Sequence, residues 1–216
     1  MRFLKYIFLF IFIITLDGYV FGQKIESKIQ SYLSNNNEFL GLLKSDISDF
    51  RIYNQHFDKK LGLSYVYVIQ NYNNIDIYNS VATFVIKENK TFLSGNRFSN
   101  NIKNKINSLK PILSASEALD ILVRNLGISN GIKIEQKKIT ENSFLFNKGL
   151  ISQEDIPVKL MYVPYENEIK LSWDISISMI DSKHWWSIKI DALTGEELDR
   201  VDWVSSCKFN HIYNSK

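Results

Sequence analysis

Three histidines and one cysteine are the whole supply, in 216 residues, of the side chains that most often bind transition metals or attack carbonyl carbons. His56, His184 and His211 stand 128 and 27 positions apart, and none belongs to an H-E-x-x-H pair, so no helical zinc site can be assembled from them. His56 follows Gln55 just before a strand, where a hydrogen-bonded histidine at a sheet edge is the plain reading and a functional role the sharper one. Cys207 and His211 have the four-residue spacing of a thiol and its base. Both lie within ten residues of Lys216, where order and burial are hard to achieve, and an unpaired exported cysteine more often has its partner in another chain.

His184 is followed by Trp185 and Trp186. Alternation along a strand places one indole in a core and one outward, and the alternative is a stacking platform for a ligand. The carboxylates Asp46, Asp49, Asp174, Asp181 and Asp191 are expected mostly at turns or on the solvent faces of strands, and no G-x-S-x-G, Walker or G-x-G-x-x-G motif is present. The residues therefore ask for no catalytic set, no cofactor and no metal. Asn89, Lys90 and Thr91 form a glycosylation sequon, which has meaning only in a eukaryotic secretory route.

Composition narrows the class. A chain that is 45% hydrophobic and 23% charged is globular, and a net charge of +3 from 26 basic and 23 acidic residues is too small and too scattered to neutralise phosphates. Nucleic acid is thus excluded as an expected partner. Arg2 and Lys5 precede an apolar run from Tyr6 to Leu16, ended by Asp17 and Gly18 and followed by Val20, Phe21 and Gly22. This layout predicts a signal peptide over residues 1–22, cleaved after Gly22, with an uncleaved anchor as the rival reading. The mature chain is then secreted or extracytoplasmic, with no membrane contact after cleavage.

The elements that must position these residues fall into two similar halves. Ile25, Ile29 and Leu33, then Phe39, Leu40 and Leu43, predict a helix over 24–43 interrupted at Ser34 to Asn37. Residues 50–57 are ambiguous. Leu63 to Gln70, Ile75 to Ile86 and Thr91 to Phe98 read as strands, with an asparagine turn at 71–74. The polar stretch 101–112 reads as a linker. A capped helix follows from Ser114 or Ser116 to Gly127, and then strands at 132–140, 158–164, 169–180, 185–190 and 197–203, the last two joined by the turn DALTGE at 191–196. The expected fold class is α+β: two cystatin-like units in tandem, each a helix packed on an antiparallel sheet.

Two stretches carry a resemblance to a known family. YVYVIQNYNNIDIYNSVATFVI at 65–86, with SDFRIYNQHFDKKLGL at 48–63, resembles the FTP domain of fungalysin- and thermolysin-type metalloprotease pro-regions. The helix at 116–127 and LSWDISISMIDSKHWWSIKIDALTGEELDRVDWV at 171–204 resemble the PepSY-type second module of fungalysin propeptides. The resemblance covers roughly residues 25 to 207 and implies an FTP-like module at 23–100, a linker at 101–112, a PepSY-like module at 113–204 and a tail at 205–216.

Fungalysins continue into a catalytic domain with an H-E-x-x-H helix, and this sequence stops at Lys216 without that motif. The expectation is a non-catalytic, propeptide-like protein whose partner is a metalloprotease catalytic domain, in cis in relatives and in trans here. Assisted folding and inhibition are both open. So are a truncated or split precursor without independent activity, and an extracellular peptide-binding or protein-binding module. The expected contact residues are Trp186, Trp203, Val204 and Phe209, with Cys207 available for an intermolecular disulfide.

Overall fold

Ile25, Ile29 and Leu33 recur at four-residue steps, and in the computed structural model of the protein they form the buried stripe of a helix over residues 25–36, α1. The structure describes residues 25–128 and 136–204, with the side chains of 136–138 left aside. The expected signal peptide and all of the tail from 205 onward lie outside the described residues. The chain divides into two compact units, residues 1–105 and 106–216.

In the first unit α1 does not continue through Phe39, Leu40 and Leu43 as the spacing predicts. The Asn36 amide donates to the Tyr32 carbonyl (2.7 Å) and the Asn37 amide to the Leu42 carbonyl (3.0 Å), and Gly41 turns the chain at φ 68°. The Asn36 amide takes a carbonyl of the last helical turn, the Asn37 amide holds the turn that follows, and Phe39 is left 90% exposed. A single 3-10 turn, Lys44–Asp46, leads into strands β1 (Phe50–Asp58), β2 (Leu63–Tyr72), β3 (Ile75–Lys87) and β4 (Lys90–Asn96), paired antiparallel in that order. The ambiguous segment 50–57 is thus a strand. The predicted asparagine turn is the two-residue loop Asn73–Asn74, with φ of 49° and 60°, the positive values that let a tight hairpin follow the sheet twist. Val66, Val68, Ala82, Phe84 and Ile86 face α1, and Tyr32 meets Phe84 edge-on at 5.7 Å. A short helix, α2 (Ile102–Lys105), closes this unit with Ile102 buried.

The second unit opens with Asn107, whose side-chain oxygen accepts from Leu171 N at 2.9 Å. Within the stretch 101–112, Asn101 N and Ile102 N donate to Asp46 in the first unit, and Ile112 N donates to the Ala192 carbonyl in the second. Helix α3 (Ala115–Asn125) is capped by Ser114, which accepts from Glu117 N, while the Glu117 carboxylate accepts from Ser114 N at 2.7 Å. The Ser114 N–H, and the Ser114 hydroxyl that also donates to the carboxylate at 2.7 Å, hold the Glu117 carboxyl below its ordinary pKa. Strands β5 (Gln136–Thr140), β6 (Ser143–Phe146), β7 (Ile156–Tyr165), β8 (Glu168–Ser178), β9 (Trp185–Asp191) and β10 (Glu197–Asp202) pair antiparallel in sequence order. The strand β6 is one that the sequence reading passes over.

Register makes the core of this unit legible. Val158, Ile175 and Ile188 form one row across β7, β8 and β9, and Leu160, Trp173 and Ile190 form the next, all buried. Trp173 supplies the core indole, donating Nε1–H to the Leu113 carbonyl at 2.8 Å. On the opposite face Lys159, Asp174, Lys189 and Asp199 stand side by side across β7 to β10. Lys189 is fully buried, 3.6 Å from both aspartates and 2.9 Å from Ser187 Oγ, so its charge is compensated where water cannot reach it.

Candidate partner-binding surface

The two tryptophans after His184 do not divide into one core and one outward indole. Trp185 is 45% exposed and Trp186 half-buried, because β9 begins at Trp185 and its buried positions start only at Ser187. The indole expected in the core is Trp173 instead. Trp186 is held from its flanks: the His184 ring stacks on it at 4.6 Å and 16°, and the Arg200 guanidinium lies 5.3 Å from its ring. Arg200 is oriented in turn by both Glu197 oxygens at 2.7 Å, and that bond keeps the guanidinium firmly protonated.

Asp202 is the hub of this corner. One oxygen takes a 2.7 Å bond from His184 Nδ1, and the other accepts from Trp185 N (3.1 Å) and Val204 N (3.0 Å). The His184 contact, followed by the backbone donors, holds the Asp202 carboxyl below the usual carboxylate range. Trp203 N donates to Trp185 O at 2.8 Å, which fixes the path of the chain as it leaves β10. Past that point Trp203 is 62% exposed and Val204 40% exposed, with Ile180 of the β8–β9 loop also open at 56%. An ordered backbone presenting exposed aromatic and aliphatic side chains has the chemistry of a contact surface, since the entropy of ordering it is already spent. Phe209, Cys207 and His211 lie outside the described residues.

No group of three or more histidine, cysteine, aspartate or glutamate side chains could hold a metal ion among the described residues. His56 lies on β1, the end strand of its sheet, stacked on Tyr65 at 6.5 Å. Of the carboxylates expected mostly at turns or on the solvent faces of strands, Asp46 and Asp191 are buried, Asp191 at its expected turn. Asp191 ties its own turn, accepting from Leu193 N and Thr194 N. Asp46 accepts from Leu43 N (2.9 Å), Asn101 N (2.8 Å) and Ile102 N (2.9 Å), linking the start of the sheet to the segment after β4.

Beside Asp46 lies a buried polar lock. The β2–β3 ladder slips between Ile69 and Asn71, and Gln70 faces the gap. Its Nε2 donates to the carbonyls of Asp46 (2.7 Å) and Ser99 (2.9 Å), and its Oε1 accepts from Ser99 N (2.7 Å) and from Ser80 Oγ. One glutamine amide thus satisfies polar groups from three other segments, at Asp46, Ser80 and Ser99. The glutamine that closes the first strand of the FTP-like stretch has a structural task.

Residues 48–98, which span β1 to β4 and include Gln70 and Ser80 of this lock, match the Fungalysin/Thermolysin Propeptide Motif. The chain is 28% identical over 170 residues to an extracellular metalloproteinase of Aspergillus niger, covering 75% of this chain and 26% of that protein. It is 23% identical over 224 residues to extracellular metalloproteinase 9 of Coccidioides posadasii, covering 91% and 34%, and 27% identical over 169 residues to a Pyricularia oryzae metalloproteinase, covering 74% and 26%. The chain spans about a quarter to a third of the length of these curated relatives. A match to the Bacillus megaterium YpeB C-terminal domain covers 83% of this chain and 63% of that one, at 12% identity and a TM-score of 0.34, too distant to carry an argument. No helix among the described residues is long and apolar enough to cross a membrane. The chain carries the Fungalysin/Thermolysin Propeptide Motif at residues 48–98 and is similar, over most of its own length, to part of fungal extracellular metalloproteinases.

Proposed function

We propose that this chain does the work of a metalloprotease pro-region: it is exported, has no catalytic role, and binds a fungalysin- or thermolysin-type catalytic domain to assist its folding and cover its substrate cleft. The observation that carries this reading is the motif match over 48–98, which coincides with one complete antiparallel meander locked by Gln70. On this reading residues 23–100 are the FTP-like module and 113–204 the PepSY-like module, both of cystatin-like design. A pro-region needs no catalytic residue, because blocking a cleft is steric. It assists folding because large non-local folds form slowly and gain from a partner that stabilises their native arrangement.

The contact surface on this reading is Trp186, Trp203 and Val204, continued by Phe209, with Cys207 free to form a disulfide with the partner. The test is to titrate the purified mature chain, residues 23–216, against an active fungalysin-type protease, and to refold the denatured catalytic domain with and without it. The reading expects stoichiometric loss of cleavage or a raised yield of refolded enzyme. Neither effect at micromolar excess, about the level at which a specific interface of ordinary size is occupied, would overturn it.

A further inference from the structure

The first unit has a second place suited to a ligand, at the end of the sheet away from the Gln70 lock. The β1–β2 and β3–β4 turns lie at this end because the four strands form a meander, and the first turn of α1 meets them there. Between them is a cleft of about 370 Å³ with an apolar floor of Ile25 and Ile86, and Phe57, 56% exposed, at its wall. Lys28 lines this cleft and also a neighbouring one whose lining is hydroxyl-rich: Ser27, Ser31 and Thr91. The Lys28 ammonium donates to the Glu88 carbonyl and has no carboxylate partner among the described residues.

The charges around the opening are unequal. Glu88 lines the cleft with Lys28, and among the exposed residues of the adjoining segments are Lys59 and Lys60 on one turn, Lys87 and Lys90 on the other, and Glu26 on α1. Asp58 is occupied by the backbone N–H groups of Lys60 and Leu61, so it offers less to a visiting cation than the lysines offer to an anion. A cation beside an apolar hollow recognises a group that carries an anion next to an apolar side chain.

We propose that this groove is a binding site for an extended acidic peptide segment, in which one apolar side chain enters the Ile25–Phe57–Ile86 hollow and the adjacent carboxylate pairs with Lys28. The hydroxyl-lined cleft beyond Lys28 receives the peptide backbone that follows. This site is on the opposite unit from Trp186 and Trp203, and it stands whether or not the chain serves a protease.

The test uses the mature chain and fluorescence polarisation with three labelled peptides: GGLDEGG, the charge-reversed GGLKKGG, and GGGDEGG, which lacks the apolar anchor. The LDE peptide is expected to bind at least about fivefold more tightly than either of the others and to weaken as salt is added. Lys28→Glu lowers that affinity about fivefold or more, Lys28→Arg retains it, and Phe57→Ala lowers it, while Lys110→Glu on the other unit leaves it unchanged. Matching circular dichroism spectra and melting curves show that the variants are folded. Equal binding of LDE and LKK, an unchanged affinity in Lys28→Glu, or no binding of LDE up to about 1 mM each overturns the proposal.

Discussion

Gly195 and Ile121 stand so close that a Cβ on the glycine would sit 2.8 Å from Ile121 Cδ1. The glycine also has φ +80°, a value that side chains of L-residues rarely adopt. The DALTGE turn therefore does two things at once: it reverses the chain between β9 and β10, and it packs on α3. Gly195→Ala is expected to destabilise the protein by about 1–2 kcal/mol, mostly through the backbone strain, because the atom it meets is the end of a flexible side chain. Ile121→Val removes that end, so the alanine should cost less in that background. All four tryptophans of the chain lie between 173 and 203, so tryptophan fluorescence in a denaturant series reads the second unit directly. Equal penalties in both backgrounds would show that the contact with Ile121 contributes nothing.

Asp46 makes a stronger claim on stability. Removing its carboxylate leaves the N–H groups of Leu43, Asn101 and Ile102 without their acceptor in a site that is 1% exposed. Asp46→Ala is expected to lose about 3 kcal/mol, and Asp46→Asn less, since an amide keeps one accepting oxygen. Equilibrium unfolding followed by far-ultraviolet circular dichroism measures both. A loss in Asp46→Ala below about 1 kcal/mol would mean that water replaces the carboxylate at little cost.

What the sequence revealed and what it hid divide along the range of the interactions. Strands such as 63–72 and 75–87 are legible because period-two alternation and an asparagine turn are local, and the α3 cap is legible because Ser114 and Glu117 are three residues apart. The burial of Asp46 is not, because the donors that make a buried carboxylate tolerable come from residues 101 and 102, over fifty positions away. The same holds for Asp202, whose partner His184 is brought near by β9–β10 pairing. The end of α1 falls inside the polar tract Ser34 to Asn37 where an interruption is expected, but the apolar spacing of Phe39, Leu40 and Leu43 predicts that the helix resumes, and it does not: the Asn37 side chain and Gly41 turn the chain there instead. The Trp185–Trp186 pair misled because alternation fixes which neighbours share a face, while burial depends on where the strand lies in the sheet.

The Asp202 hub gives a pH dependence with a definite sign. Its carboxyl is held below the usual range chiefly by the His184 bond, so the folded form favours the ionised carboxylate more than the unfolded chain does. The stabilisation is present above the unfolded pKa, ordinarily about 4, and is lost as pH falls through the lower folded value. The melting temperature of the natural chain should therefore exceed that of Asp202→Asn at pH 5 to 6 by a margin that shrinks toward zero near about pH 2. A margin that stays constant across the acid range would assign the effect to shape and hydrogen bonding without charge.

The exposed surface past β10 is tested by separating the two tryptophans. Trp203 is open and its backbone is fixed by Trp185, whereas Trp186 is clamped by His184 and Arg200. If this corner meets a metalloprotease domain, Trp203→Ala should weaken inhibition or assisted refolding by about tenfold or more while leaving the melting curve nearly unchanged, since little native packing is removed. Trp186→Ala should weaken binding and lower stability together, because it also takes away the ring on which His184 and Arg200 rest. Trp203→Phe, which keeps an aromatic anchor, should recover much of the loss. A Trp203→Ala chain that titrates the protease as the natural chain does would remove this corner from the interface, whatever the fate of the pro-region reading itself.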